Sequence, residues 1–426
     1  MLESHLTIAN LPWAPASGEQ AATSEITADT AALLAGRFAT AYREGDRVVL
    51  ARDRLGLNKL FVAHHPVRGV VAANYLRDLI RTGIAFRDIH AVPAGAVVTV
   101  DPRRRTASTH HYYILPATSG GTGRPQREIL AEIDATLRRG MERLAADHTG
   151  APVAICLSGG ADSALIALHA KRCFPRATAY TYTYTSDGAG LSQDAAAAQH
   201  VAQHLGLDHR LVPADTEAIL AALQPALLHG QDWRDFNVHA AVVNTLLAAA
   251  IAAEHQTVRG PAPLVLTGDL MNEVLGDYSP LHYAGTTYYP LPAVGPSRLR
   301  TSLTRGIQAG DREVGVFNAH GLRVVQPYAW AFQALLELPD PVAKHEIMTA
   351  LADGGLPDDI LVRPKVRAQI GEAHVHRGIL PLLLDAGHDS DRLQQDFCQV
   401  LAISDPRELR AFLRGGVYRP LPATHR

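Results

Sequence analysis

Between Ala151 and Ala170 the chain reads Ala-Pro-Val-Ala-Ile-Cys-Leu-Ser-Gly-Gly-Ala-Asp-Ser-Ala-Leu-Ile-Ala-Leu-His-Ala. The apolar run Val153 to Leu157 has the composition of a strand buried on both faces. Ser158-Gly159-Gly160 then allows a sharp turn and a close backbone approach to a ligand. Ala161 to Ala170 reads as a helix with Asp162 and Ser163 in its first turn. Free N–H groups at such a helix start favour an anion, and hydroxyls stand beside them. The string Ser-Gly-Gly-x-Asp-Ser has the form of a loop that cradles the pyrophosphate of ATP. An ordinary glycine-rich strand-to-helix turn is the alternative. The complete string between a strand and a helix favours the nucleotide.

The elements around this loop fall into two textures. Residues 32 to about 115 carry short strands at 47–52, 59–63, 69–73 and 95–101, with a short helix over 76–83. Turn signals about every ten residues describe a mostly antiparallel sheet. Pro116 to Pro125 is a linker by composition. Residues 126 to 146 form an amphipathic helix with Ile129, Ile133, Leu137 and Met141 on one stripe. Then come strand 153–157, helix 162–172, strand 177–184, helices 192–206 and 238–255, and strand 263–267. That alternation predicts a parallel α/β sheet; from about 327 onward the chain reads as helices and loops. Ligands of such sheets sit at the carboxyl ends of the strands. This puts adenine near Leu157 and Thr181 to Tyr184, although Tyr182 and Tyr184 are equally explained as sheet residues.

Composition narrows the function. The chain has 426 residues and a net charge of −2, with no basic footprint for nucleic acid. Its 21 histidines and three cysteines show no zinc-type spacing. Cys156, Cys173 and Cys398 are too few and too scattered for a disulfide framework, which points to a reducing cytoplasm. No secretory signal opens the chain, and no apolar run is expected to span a bilayer. The alanine-rich helices starting near Ala195 and Ala240 are core or dimer material, so a homodimer is compatible with them.

Five further segments carry a resemblance. Leu50-Ala-Arg-Asp-Arg-Leu-Gly-Leu-Asn-Lys-Leu-Phe61 resembles Arg-Asp-x-Leu-Gly-x-x-x-Leu-Tyr of the asparagine synthetase family. Ala72 to Leu79 sits where that family has Ala-Ser-Glu-Leu-Lys-x-Leu, and Val92-Pro-Ala-Gly-Ala96 resembles its Leu-Pro-Pro-Gly-His. Thr267-Gly-Asp-Leu-Met-Asn-Glu273 occupies the place of Ser-Gly-Glu-Gly-x-Asp-Glu. Leu361-Val-Arg-Pro-Lys-Val366 resembles the late lysine loop, above all the Arg-Pro-Lys form of beta-lactam synthetases.

The resemblance implies an α/β protein in two parts. Residues 1–118 would be a truncated, inactive glutaminase-like β-rich domain of the N-terminal-nucleophile type. Residues 126–426 would be a parallel α/β synthetase domain of the PP-loop, adenine nucleotide alpha hydrolase-like type. The family's glutaminases use a cysteine exposed by loss of Met1; here residue 2 is Leu, and leucine cannot act as that nucleophile. The implied reaction is AMP transfer from ATP to a small-molecule carboxylate, then amide formation with an amine used directly, in specialised (natural-product) metabolism.

Leu157, Ser158, Gly159, Gly160, Asp162, Ser163, Tyr184 and Gly268 would hold ATP. Mg2+ takes carboxylates plus phosphates, here Asp162 with Asn272 and Glu273. Asn272 replaces the family's Asp, and Asp269 is a further oxygen source. Lys365 and Lys344 would neutralise developing charge; a plain surface lysine is the other reading of Lys344. Asp269 would receive the amine's proton, at the position of the tyrosine in the Tyr–Glu pair of beta-lactam synthetases. Residues 231–239 with His282, Tyr283, Tyr288 and Tyr289 are the expected substrate-selecting group. A nucleobase- or tRNA-modifying ATP pyrophosphatase, or a non-catalytic partner protein, are the competing readings.

Overall fold

The computed structural model describes residues 1–14, 31, 35–115, 123–185, 191–255, 261–276, 278, 280–289, 310–339, 343–363, 368–372, 376–414 and 417–422. Two four-stranded sheets build the N-terminal part. One pairs β1 (Leu2–His5), β7 (Gly69–Ala73), β6 (Phe61–His65) and β8 (His90–Ala91) in that order. The other has the order β10 (Thr106–His111), β9 (Ala96–Asp101), β5 (Arg47–Arg52) and β4 (Ala39–Glu44). All pairs within these two sheets are antiparallel except β1 with β7, where Leu2 faces Val70.

Alternation along each strand decides what each face covers. Val62, Val70 and Ala72 join Val48, Leu50, Val98 and Val100 in a core between the two sheets. Their neighbours Phe61, Ala63, Val71 and Ala73 point the other way, into an apolar cluster with Ala154, Tyr180, Leu227 and Phe412. The N-terminal sandwich therefore shares its second core with the rest of the chain. A helix, α1 (Leu76–Arg81), caps this face. Arg419 returns to it and donates to the carbonyls of Phe86 and Ile89.

The second part begins with α2 (Gln126–Asp147). A five-stranded parallel sheet follows, in the order β13 (Asp208–Ala214), β12 (Thr178–Tyr184), β11 (Val153–Cys156), β14 (Leu264–Leu266) and β17 (Arg323–Val325). Helices α3 (Ala161–Cys173), α4 (Gln193–Leu205), α5 (Thr216–Gly230) and α6 (Asp235–His255) run between the strands. The expected alternation is present, with three elements added. β13 carries Pro213, which is tolerated because β13 is an edge strand. α5 contains Pro225 inside the helix, a residue that masks a helical pattern. β17 is three residues long, too short for alternation to show.

One expectation is revised. α6 is long and apolar enough to cross a membrane by length and composition, and 56% of its apolar window is buried inside the protein. Val238, Ala241, Val242, Ala248 and Ile251 pack into the shared core. The late part of the chain is helical, as read, apart from two-residue strand pairs at 371–377 and 413–418.

Candidate active site

From β11 the chain builds outward to β12 and β13, then crosses back to β14 on the other side. The loops after β11 and β14 thus flank a topological switch point, where ligands of open α/β sheets bind. Leu157 to Gly160 connects β11 to α3. Gly159 lies at φ +71°, and a Cβ there would overlap the Asp194 carbonyl oxygen. Only glycine lets the loop pass that close to α4. The Ser158 N–H donates to Ser163 Oγ at 3.0 Å, and Ser163 Oγ donates to the Gly160 carbonyl at 3.1 Å. The turn is closed on itself before any ligand arrives. Gly268, in the loop after β14, lies against the start of α3; a Cβ would sit 2.7 Å from the Ser163 nitrogen.

Lys344, the first residue of α10 (Lys344–Ala352), reaches this loop. Its ammonium lies 2.7 Å from Asp162 Oδ2 and also donates to Asn272 Oδ1. The structure therefore removes the surface-lysine reading of Lys344. Asp162 Oδ1 is buried with no hydrogen-bond partner among the described residues. Glu273, on α7 (Met271–Leu275), is turned to a different cation. Its Oε1 accepts from Arg312 at 2.7 Å and from the Tyr278 hydroxyl at 2.8 Å. Leu270, where the resembling family has glycine, holds φ +84°. A left-handed conformation at leucine is strained, and such strain collects at functional sites.

Arg312 and Glu313 escaped the sequence reading. They lie on a π-helical turn, Gly310–Val314, a geometry frequent at functional sites. Both are buried. Arg312 also pairs with Asp269 at 3.2 Å and stacks 5.2 Å from the Phe236 ring centroid. Burial alone would lower its guanidinium; Asp269, Tyr278 and Glu273 outweigh that and raise it. Glu313 Oε2 accepts from Thr267 Oγ1 at 3.1 Å and from Gln326 Nε2 at 2.7 Å. Burial first, then the Asp269 carboxylate and a hydrogen bond with it, push the Glu313 carboxyl well above the usual range. Burial and the neighbouring Asp269 carboxylate thus both favour the protonated form of Glu313. The available sequence signal was Asp311-Arg-Glu313 set directly against the apolar Val314-Gly-Val-Phe317.

Two cavities meet at the loop. One, of about 190 Å³, lies between Leu157, Ser158, Thr181, Tyr182, Tyr184 and Gly268. The other, of about 480 Å³, lies between Gly160, Phe236, Asn272, Arg312, Lys344 and Met348. Ser158, Asp162, Asp194 and Asp269 line both. Leu157, Ser158, Asp162, Ser163, Tyr184, Gly268, Asp269, Asn272 and Lys344 therefore all face these connected spaces. Gly160 lines the second cavity, while Gly159 forms the loop's contact with α4. Lys365 lies outside the described residues. Two residues before it, Arg363 bonds Asp194 at 2.8 Å and the Gly159 carbonyl at 3.3 Å, so it ties the loop to α4.

The expected substrate-selecting group divides. Phe236 lines the second cavity. Gln231 instead bonds Leu76 N and the Asn74 carbonyl, and Asp232 is held by Arg234 and Asn237. His239 bonds the Tyr289 hydroxyl at 2.6 Å, and burial lowers its imidazole to about 3. Tyr283, Tyr288 and Tyr289 cluster with Phe236 and Leu380. His282 is exposed and bonds Thr287.

Known proteins match this arrangement of segments. The asparagine synthase family matches residues 132–313. Carboxyethyl-arginine beta-lactam-synthase of Streptomyces clavuligerus is 28% identical, over 91% of this chain and 74% of that protein. The glutamine-hydrolyzing asparagine synthetase B of Escherichia coli (strain K12) is 25% identical, over 59% of this chain and 45% of that protein. The chain thus spans less than half the length of the second relative. Among solved structures, NMN synthetase from Francisella tularensis aligns with 67% of this chain and 96% of that chain. The identity is 15% and the TM-score 0.32, a likeness too low to bear on fold or function. The family's match runs from α2 to the turn that bears Glu313, so over that segment, and with these two relatives, the chain is similar to the asparagine synthase family.

Proposed function

We propose that the chain activates a small-molecule carboxylate with ATP and joins it to an amine, within the ATP-dependent amide ligation of the asparagine synthase family. One observation supports this most: a closed Ser158–Ser163 loop shares its cavities with the Asp269 carboxyl, which is backed by the buried Glu313 carboxyl. The first is suited to a leaving pyrophosphate, the second to a proton. In this reading residues 126–426 are a PP-loop synthetase domain, and residues 1–118 are a glutaminase-like remnant.

The carboxylate oxygen attacks the α-phosphorus of ATP, the α–β bond breaks, and pyrophosphate leaves. Ser158, Ser163 and the N–H groups at the start of α3 receive it. The amine nitrogen then attacks the acyl carbon and AMP departs. Asp269 takes the proton lost by the amine, and Glu313 holds Asp269 in place. The Asp162 oxygen that is buried without a partner among the described residues would supply one carboxylate contact to Mg2+. Asn272 shares its amide oxygen with Lys344, and Glu273 is committed to Arg312, so Asp162 is the main protein ligand in this reading. Mg2+, when bound, neutralises the leaving phosphates. Lys344 contributes a second, fixed positive charge at the same place, and Lys365 is proposed as a third.

The deciding experiment is ATP–pyrophosphate exchange with a panel of amino-bearing carboxylic acids. Exchange stimulated by at least one acid, with AMP as the product, is expected. Formation of ADP, or exchange that no acid stimulates, would sink the proposal.

The substitution at Asn272 has its own expected result. Asn272→Asp would place two carboxylates around the Lys344 ammonium, adding one negative charge. Metal affinity follows ligand charge, so half-saturating Mg2+ should fall by roughly threefold or more. An unchanged Mg2+ titration would show that position 272 does not set metal affinity.

A further inference from the structure

We infer that Tyr75, from the N-terminal sandwich, is a positioning residue for the acid pair of the synthetase site. The inference rests on the roles proposed above for Asp269 and Glu313. It adds that the N-terminal part is built into the site rather than merely packed beside it.

The π turn that carries Glu313 is held from two sides. On one side Asn244 of α6 donates to the Arg312 carbonyl at 3.0 Å. On the other, the Tyr75 hydroxyl donates to the Gly315 carbonyl at 2.7 Å and accepts from Asn318 at 3.1 Å. Gly315 and Asn318 belong to α8 (Gly315–Ala319), which continues directly from the π turn. A side chain at 315 would overlap the His229 carbonyl oxygen, so the turn is pressed against α5 with no room to shift. A π turn is wider than an α turn and rare outside functional sites; here it needs an anchor at each end.

The Tyr75 side of this anchor is itself fixed. Gln231 accepts from the Leu76 N–H at 2.7 Å and donates to the Asn74 carbonyl at 2.9 Å. One side chain thus clamps the residues immediately before and after Tyr75. Asn74 donates to the Lys59 carbonyl and accepts from the Ile8 N–H, which ties the clamp to the sandwich. Arg77 covers the Tyr75 ring at 4.8 Å, and the ring is 1% exposed. A purely apolar core role would need none of these polar contacts. A hydroxyl delivered to the carbonyl two residues beyond Glu313 sets the direction of the Glu313 side chain, and through it the contact with Asp269.

The test compares Tyr75→Phe and Glu313→Gln with the unaltered full chain. Phe keeps the ring and removes the hydroxyl. Hydrogen–deuterium exchange, which needs no ligand, should speed up over residues 310–319 by about tenfold, the scale of one lost buried hydrogen bond. Residues 153–173 should keep their protection. With ATP and the acid that gives the strongest exchange in the panel above, kcat should fall about tenfold while KM for ATP stays within about twofold. The acidic limb of the pH–rate profile should also move, which a loss of packing alone would not cause. Asn318→Ala removes the hydroxyl's other partner and should give a non-additive double variant; it also serves if Tyr75→Phe folds poorly. Unchanged protection over 310–319, or an unmoved pH profile in Tyr75→Phe while Glu313→Gln is inactive, overturns the positioning role. A fully active Glu313→Gln overturns instead the proposed acid pair.

Discussion

Asp162→Ala should abolish ATP–pyrophosphate exchange, by at least about a hundredfold, while the protein still folds. Asp162 combines three features. It stands in the first turn of α3, its Oδ2 meets Lys344 at 2.7 Å, and its Oδ1 is buried without a hydrogen-bond partner among the described residues. Removing the carboxylate takes away the proposed metal contact and one partner of Lys344, which keeps its bond to Asn272. The loss in rate should appear in kcat, because the charge on the leaving pyrophosphate grows in the transition state. The loss in stability should be small, about 1 kcal/mol. The Lys344 side chain is 20% exposed and can turn to solvent. The Asp162 backbone carbonyl keeps its bond from the Tyr328 hydroxyl at 2.8 Å. Exchange rate and thermal unfolding, measured on the same preparation, separate the two effects. A rate within about threefold of the parent at saturating Mg2+ would remove Asp162 from the site.

The largest effect on stability is expected from Arg312→Ala. The guanidinium faces Glu273 at 2.7 Å and Asp269 at 3.2 Å, and it lies over the Phe236 ring. The side chains of Arg312 and Glu273 are 4% and 1% exposed. Removing one member of a buried ion pair leaves an uncompensated charge and costs about 3–5 kcal/mol. Water cannot readily reach Glu273 to offset this, since its second oxygen is already buried without a partner among the described residues. Urea unfolding should show the loss directly, and activity should fall with it because Asp269 loses its cation. Arg312→Lys should recover part of the stability and less of the activity. A lysine restores the charge but cannot meet both carboxylates with a planar fork. A loss below about 1 kcal/mol in Arg312→Ala would mean that the three charged groups do not form one network.

Much of this site is legible in the chain because its parts are local. The strand, glycine loop and helix at 153–170 depend on neighbours a few residues apart, and the structure reproduces them as β11, a closed loop and α3. The same holds for the alternation that splits Val62 and Phe61 between two cores. It fails where a local rule is overridden by position in the fold. Pro213 argues against a strand until β13 is seen to be an edge, and Pro225 argues against a helix that tertiary packing nonetheless retains.

By itself the sequence determined the pyrophosphate-type loop, the parallel α/β sheet behind it and the strand-rich region before it, since each follows from backbone preferences and short-range periodicity. Only the tertiary structure decided which charges meet. Lys344 and Asp162 are 182 residues apart, Arg312 and Glu273 are 39 apart, and Tyr75 and Gly315 are 240 apart. No local pattern encodes such pairs. They arise because the sheet order returns β14 and β17 to the far side of β11, so the loop after β14 and the turn before β17 reach the same end of the sheet as Asp162. Burial there makes an unpaired charge costly, and that cost selects Lys344 for Asp162 and Asn272, and Arg312 for Asp269 and Glu273.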